Sequence, residues 1–213
     1  VVKLPETTEK VVENLLRLAN TKIPEDIGWA LEAAAEWETN KTAYSQIGAI
    51  LDNIRKAEHL GKPMCQDTGI PIFYVRGKFD SSISKDIAQA VENCTRNIPM
   101  RPNTVDPFTR KNNGNNLGDG MPCIHYIPTD DDFTEISVML KGAGSENMTK
   151  LRMLNPADGM EGVKKFIIDS VLDAGGRPCP PGIVGVGVGG TADECVAMAK
   201  RALMEPLDHE DPD

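Results

Sequence analysis

Apolar and polar positions along the 213-residue chain follow two rhythms. Over the first sixty residues the spacing is helical. Val11, Leu15 and Leu18 share one face, with Val12, Leu16 and Ala19 beside them. Pro24 can open a second helix carrying Ile27, Leu31 and Ala34, since its fixed φ and missing N–H suit a first turn. A third runs from Thr42 through Ile47, Ile50, Leu51, Ile54 and Ala57, and stops at Gly61 and Pro63. The period then shortens. "IPIFYVRG", from Ile70, reads as a strand, and Pro71 suits either its first residues or an edge position. Ile83, Ile87, Ala90, Val91 and Cys94 return to helical spacing.

"IHYI" and "TEISVMLK" read as further strands, with Ile136, Val138 and Leu140 alternating with polar residues. Asp158 and Glu161 form a capping-box pattern ahead of Val163, Phe166, Ile167, Ser170 and Val171. Thr191, with Glu194 three residues later, opens a last helix whose buried face is Val196, Ala199 and Leu203. The tail "EPLDHEDPD" has no apolar face and reads as a linker or a truncation point. The expected class is α/β (mixed α+β). A helical N-terminal third precedes a mixed β-sheet with packed helices, all in a single domain.

Between Asn97 and Pro122 the periodicity disappears. "NIPMRPNTVDPFTRKNNGNNLGDGMP" holds six Asn, four Pro and three Gly. Structureless loops this long are uncommon in compact domains and tend to be functional or disordered, and ordered segments on both sides favour function.

Composition narrows the classes. With 40% apolar and 26% charged residues, the chain is ordinary for a soluble globular protein. It contains no apolar run of membrane-spanning length and no signal-peptide pattern at its start. A net charge of −9 without a basic stripe argues against nucleic acid as a partner. It also disfavours an anionic ligand unless local cations outweigh the average field. Five cysteines, an odd number without CxxC spacing, fit neither a disulfide framework nor a zinc ribbon, so a cytoplasmic location is expected.

The cysteines sort by local pattern. Cys94 and Cys195 fall on apolar helix faces and read as core. Cys65, Cys123 and Cys179 each lie in a Gly/Pro-marked loop just before a predicted strand, where a metal site, a nucleophile or three unrelated thiols are all open readings. His59, His125 and His209 are the only histidines, and none has a context resembling a cysteine protease. Gly185, Gly187 and Gly190 match G-x-G-x-x-G, but no full strand precedes them and no second strand follows the helix. A segment of alternating Val and Gly, stripped of side chains because another backbone or a cofactor comes close, explains them better.

Four ordered motifs, "CQDTG" from Cys65, "MRPN" from Met100, "KGAGSENMTK" from Lys141 and "CPPGIVGVGVGGTAD" from Cys179, resemble the class I, iron–sulfur-dependent fumarases and the related L(+)-tartrate dehydratases. The likeness is to the α subunit, or N-terminal region, of these hydro-lyases. It implies that residues 1–213 form a fumarase-type α-subunit catalytic domain whose C-terminal part is missing. It implies a [4Fe–4S] cluster on three cysteines with one open iron, Cys65 and Cys179 matching two ligands and the third lying downstream of Asp213. Cys123 matches none.

By the same resemblance Gln66, Asp67, Arg101 and Gly144 contact substrate. Asp67 orients substrate or exchanges protons, Gln66 donates from its amide, Arg101 grips a carboxylate and Gly144 offers a backbone N–H. A dianionic substrate in so acidic a chain needs more cation than Arg101. The implied partner is a separate fumarase β subunit, in a heterotetramer built on an α homodimer. The expected activity is reversible hydration of fumarate to (S)-malate. L(+)-tartrate dehydration and a non-catalytic structural fragment that docks a partner are the alternatives.

Overall fold

The computed structural model describes residues 7–78 and 80–210. They fall into two compact units, one ending at Gly142 and the other beginning at Ala143. The class is the expected mixed α/β. Among the described residues no helix is long and apolar enough to cross a membrane.

The first unit runs α1 (Thr8–Thr21), α2 (Glu25–Trp37), α3 (Lys41–Leu60), β1 (Ile70–Gly77), α4 (Ser81–Asn97), β2 (Cys123–Pro128) and β3 (Glu135–Lys141). Its sheet has the order β2-β1-β3. β1 is parallel to β2, pairing Ile72 with Cys123 and Tyr74 with His125. It is antiparallel to β3, pairing Phe73 with Val138. Pro71 therefore lies in the central strand, and the edge position is excluded. The proline is accommodated as the strand's second residue.

The central strand is buried on both faces, and one of them meets the helices. Phe73 and Val75 of β1, with the partly buried Ile124 and Tyr126 of β2 and Ile136, Val138 and Leu140 of β3, pack with Val12 and Leu16 of α1. Ile83, Ile87, Ala90, Val91 and Cys94 of α4 complete that core, all at the positions their spacing predicts. Enclosing a side chain such as Phe73 contributes about 1.5–3 kcal/mol. α1 turns its Val12/Leu16 face inward and leaves Leu18 about half exposed, so of two adjacent apolar stripes the second is the buried one. Asp80 caps α4 by accepting from the Ser82 N–H, and Asn40 caps α3 through Thr42 and Ala43.

The second unit holds α5 (Ala143–Glu146), a 3₁₀ turn (Pro156–Asp158), α6 (Gly159–Ala174) and α7 (Ala192–Ala202). The expected Asp158–Glu161 capping box is not formed. Asp158 instead reaches back to accept from the Asn155 N–H at 3.0 Å, one turn earlier, and Glu161 pairs with Lys164. Residues 183–188 belong to no helix and no strand. A Cβ on Gly185 would lie 2.1 Å from the Ala199 carbonyl oxygen, and one on Gly187 2.2 Å from that of Cys195. Both glycines are therefore required by the approach of the α7 backbone, as the Val/Gly alternation suggests. A dinucleotide site is not built there, because the glycines face a helix rather than an open turn.

Candidate functional site

The loop between α3 and β1 carries Cys65, Gln66, Asp67 and Thr68, and it is held at both ends. Met64, just before Cys65, donates its N–H to the Asn20 carbonyl of α1 at 3.0 Å, and its own carbonyl accepts from the Asn53 amide of α3. At the far end Gly69 adopts φ +78°, where a Cβ would come within 2.8 Å of the β3 backbone at Leu140 and Lys141. Only glycine lets the chain enter β1 so close to its neighbour.

Across this short loop lies the long asparagine-rich one. Thr68, itself buried, accepts from the Arg101 N–H at 2.9 Å. The Asn103 amide donates to Asp67 Oδ1 and to the Gly69 carbonyl, each at 3.0 Å. Asp67 Oδ1 also accepts from the Gly69 N–H, so the acid stabilises its own turn as well. "CQDTG" and "MRPN", more than thirty residues apart, thus form one hydrogen-bonded constellation.

Asn116, 1% exposed, anchors it from behind. Its Oδ1 accepts from the N–H of Asn103 at 2.7 Å and of Thr104, while its Nδ2 donates to Thr95 Oγ1 and the Arg101 carbonyl. A buried amide with donors and acceptors all engaged is what orders a segment without helix or strand. The loop was predicted to be functional or disordered, and it is ordered through asparagine. Thr68, Asn103 and Asn116 were given no role from sequence. The sign available there was the density of Asn between two structured segments.

Gln66 is exposed, and its Oε1 accepts from the Cys65 thiol. Arg101 is exposed, and among the described residues no carboxylate pairs with its guanidinium. Its backbone, not its guanidinium, is what the Thr68 hydroxyl fixes. Gly144 lies in α5 and not in an open loop; a Cβ there would press to 3.1 Å from the Arg177 carbonyl, so the fit is close.

Cys65 and Cys179 are both exposed and unlinked. Cys179 has φ +62°, a left-handed conformation uncommon for a residue with a Cβ and often found where function demands it. Cys94 is the contrast: burial pushes its thiol up to about 11. Two exposed thiols fit a thiolate-ligated group in donor chemistry. No cluster of three or more metal-ligating side chains is assembled among the described residues. Cys123 is not a loop residue; it is the first residue of β2.

Comparison with known proteins bears on most of the chain. The family model described as Fumarate hydratase (Fumerase) matches residues 9–213. A Methanocaldococcus jannaschii protein named "Putative L(+)-tartrate dehydratase subunit alpha" is 42% identical, over 92% of this chain and 72% of the relative. The Escherichia coli K12 protein named L(+)-tartrate dehydratase subunit alpha is 31% identical, over 95% of this chain and 69% of the relative. A Geobacillus stearothermophilus protein named "Putative fumarate hydratase class I" is 32% identical over 96% of this chain, which spans only 43% of that relative's length.

Proposed function

Taking as premise that the chain belongs to the fumarate hydratase (Fumerase) family, we propose that it is the α subunit of a hydro-lyase that adds water reversibly to fumarate, giving (S)-malate. The observation that carries the reading is the bonding of Asp67 and Thr68 to Asn103 and Arg101, which gathers an acid, an amide and an exposed cation around one loop. Such a set suits a small dicarboxylate. Arg101 would receive one carboxylate in its planar fork, and Gln66 would donate from its amide nitrogen. Asp67, fixed by two donors on Oδ1, would hold or move the proton at the carbon next to the one hydrated. Gly144 would contribute its backbone N–H.

Cys65 and Cys179 would hold a [4Fe–4S] cluster together with a third cysteine. When bound, it supplies an open iron acting as a Lewis acid toward substrate oxygen. The net charge of −9 requires further cations for a dianion, and a separate β subunit in an α₂β₂ assembly would bring them. The relatives' names, which include "subunit alpha", support a second chain, and a cytoplasmic enzyme is in keeping with free thiols.

A second reading has its own support. Two of the three relatives above are named for L(+)-tartrate, including the one at 42% identity. Steady-state kinetics of the full α subunit with its partner, reconstituted anaerobically with iron and sulfide, separates the two. Fumarate and malate are expected to give the higher kcat/KM. Preferred turnover of tartrate replaces the first reading with the second, and no turnover of either with Cys65→Ser indistinguishable from the parent leaves a non-catalytic docking subunit. Arg101→Ala is expected to raise KM for the dicarboxylate at least about tenfold, the cost of one charge-assisted contact.

A further inference from the structure

The thiol at the start of β2 has a different neighbour. Cys123 Sγ lies 3.3 Å from Nε2 of His125, two residues along β2 and on the same face of the sheet. The imidazole is stacked on the ring of Tyr74, its register partner in β1, with centroids 4.9 Å apart and planes 17° from parallel. Tyr74 is 4% exposed and sits in the central strand, so the platform under the imidazole is fixed. Cys123 itself is half-buried, within reach of a small reagent.

The other cysteines lack this arrangement. Cys94 is buried, with its thiol toward the Glu13 carbonyl; Cys195 donates to the Gly187 carbonyl; Cys65 donates to the Gln66 amide oxygen. Among the described residues only Cys123 lies against a nitrogen base. A thiol within hydrogen-bond reach of an imidazole whose orientation is set by a third group is the arrangement of an activated nucleophile.

We propose that Cys123 and His125 form a thiol–imidazole pair that takes covalent modification by soft carbon electrophiles, activated alkenes in particular. With the imidazole proton on Nδ1, Nε2 accepts the thiol proton, breaking S–H and forming N–H. The thiolate attacks the alkene carbon β to the carbonyl, and a C–S bond forms as the π pair moves to the α carbon. That carbon takes the proton from the imidazolium and restores neutral imidazole. Sulfur and hydrogen are added across the double bond, and no oxidant or reductant is needed.

The test is N-ethylmaleimide labelling of the full chain at neutral pH, each cysteine read separately by peptide mass spectrometry. Cys123 is expected to react faster in the folded chain than in the same chain unfolded in urea. His125→Gln is expected to slow the folded-state reaction at least ~10-fold, the low end for removal of a general base. A Cys123 that reacts no faster folded than unfolded overturns the proposal. So does a His125→Gln protein, folded by circular dichroism, that labels at the parental rate. The first arm uses the unaltered chain and needs no enzymatic activity, so a variant that does not fold still leaves the proposal open to refutation.

Discussion

In the unit that ends at Gly142, Leu16, Phe73, Ile87 and Val91 are fully enclosed, with two helices and three strands contributing to one core. In the unit that begins at Ala143, Ala174 is the one buried hydrophobic among the described residues, while Ile168, Leu172, Val184 and Val188 are more than half exposed. The second unit is organised by other means: glycines laid against the α7 backbone, the Lys200–Glu146 ion pair at 2.7 Å, and Lys150–Asp173 at 2.8 Å. Apolar burial stabilises at about 25 cal/mol per Å², whereas an exposed ion pair such as Lys150–Asp173 gives about 0–1 kcal/mol. Folding free energy therefore resides mainly in the first unit. The Cys65 loop is mounted on that core, whereas Cys179 stands in a loop whose backbone is tied to the Gly176 carbonyl.

That contrast can be broken by substitution. Phe73→Ala should cost about 3–5 kcal/mol by urea unfolding, because a cavity opens in the enclosed core. A loss under about 1 kcal/mol would show that the sheet face does not carry stability. Asn116→Ala should cost about 1–3 kcal/mol by stranding the N–H groups of Asn103 and Thr104. It should also speed hydrogen exchange around residues 101–104, and unchanged exchange there would mean that the loop is ordered by something else. Gly187→Ala should cost about 1–3 kcal/mol through overpacking, with faster exchange in α7 while β1 keeps its protection. Equal loosening of β1 would erase the distinction between the two units.

The smallest effect concerns Glu13, whose carboxyl is held below its ordinary value of 4.5 chiefly by the Lys10 hydrogen bond, then by Asn93. A carboxyl depressed in the folded state stabilises above its unfolded value, and that stability is lost as pH falls through the folded one. Glu13→Gln should thus lower stability by less than about 1 kcal/mol at neutral pH. The deficit should shrink as pH falls below 4.5. A gap that persists undiminished in acid would assign the effect to packing.

β3, α3 and α4 were legible because their apolar positions recur at the strand or helix period, whereas β1, buried on both faces from Pro71 to Val75, was legible as a short continuous apolar run between Gly69 and Gly77. α1 was legible as a helix but ambiguous as to face, since Leu18 and Leu16 continue adjacent apolar stripes and only tertiary packing chooses between them. The Asp158 box was misplaced because Asn155 competes for the same carboxylate. The positions of Cys65, Asp67 and Arg101 could be named from motifs, but not the bonds that join them. Asn103 and Asn116 act through side-chain amides in irregular backbone, where no periodicity exists to be read. The Cys123–His125 pair is missed because the strand is read as starting at Ile124, which leaves Cys123 in the loop and hides that the two side chains share a face of β2.

The order β2-β1-β3 also has a consequence for synthesis. The central strand leaves the ribosome first, and both edges that satisfy its backbone are translated afterwards, the nearer one beginning at Cys123. Until then "IPIFYVRG" is an apolar ribbon with two open sides, the kind of nascent segment that associates with other chains. Helices already made, with α4 following at once, can cover one surface of it but not its rims. Slowing translation between Asn97 and Cys123 should therefore increase aggregation on the ribosome more than an equal pause after Lys141.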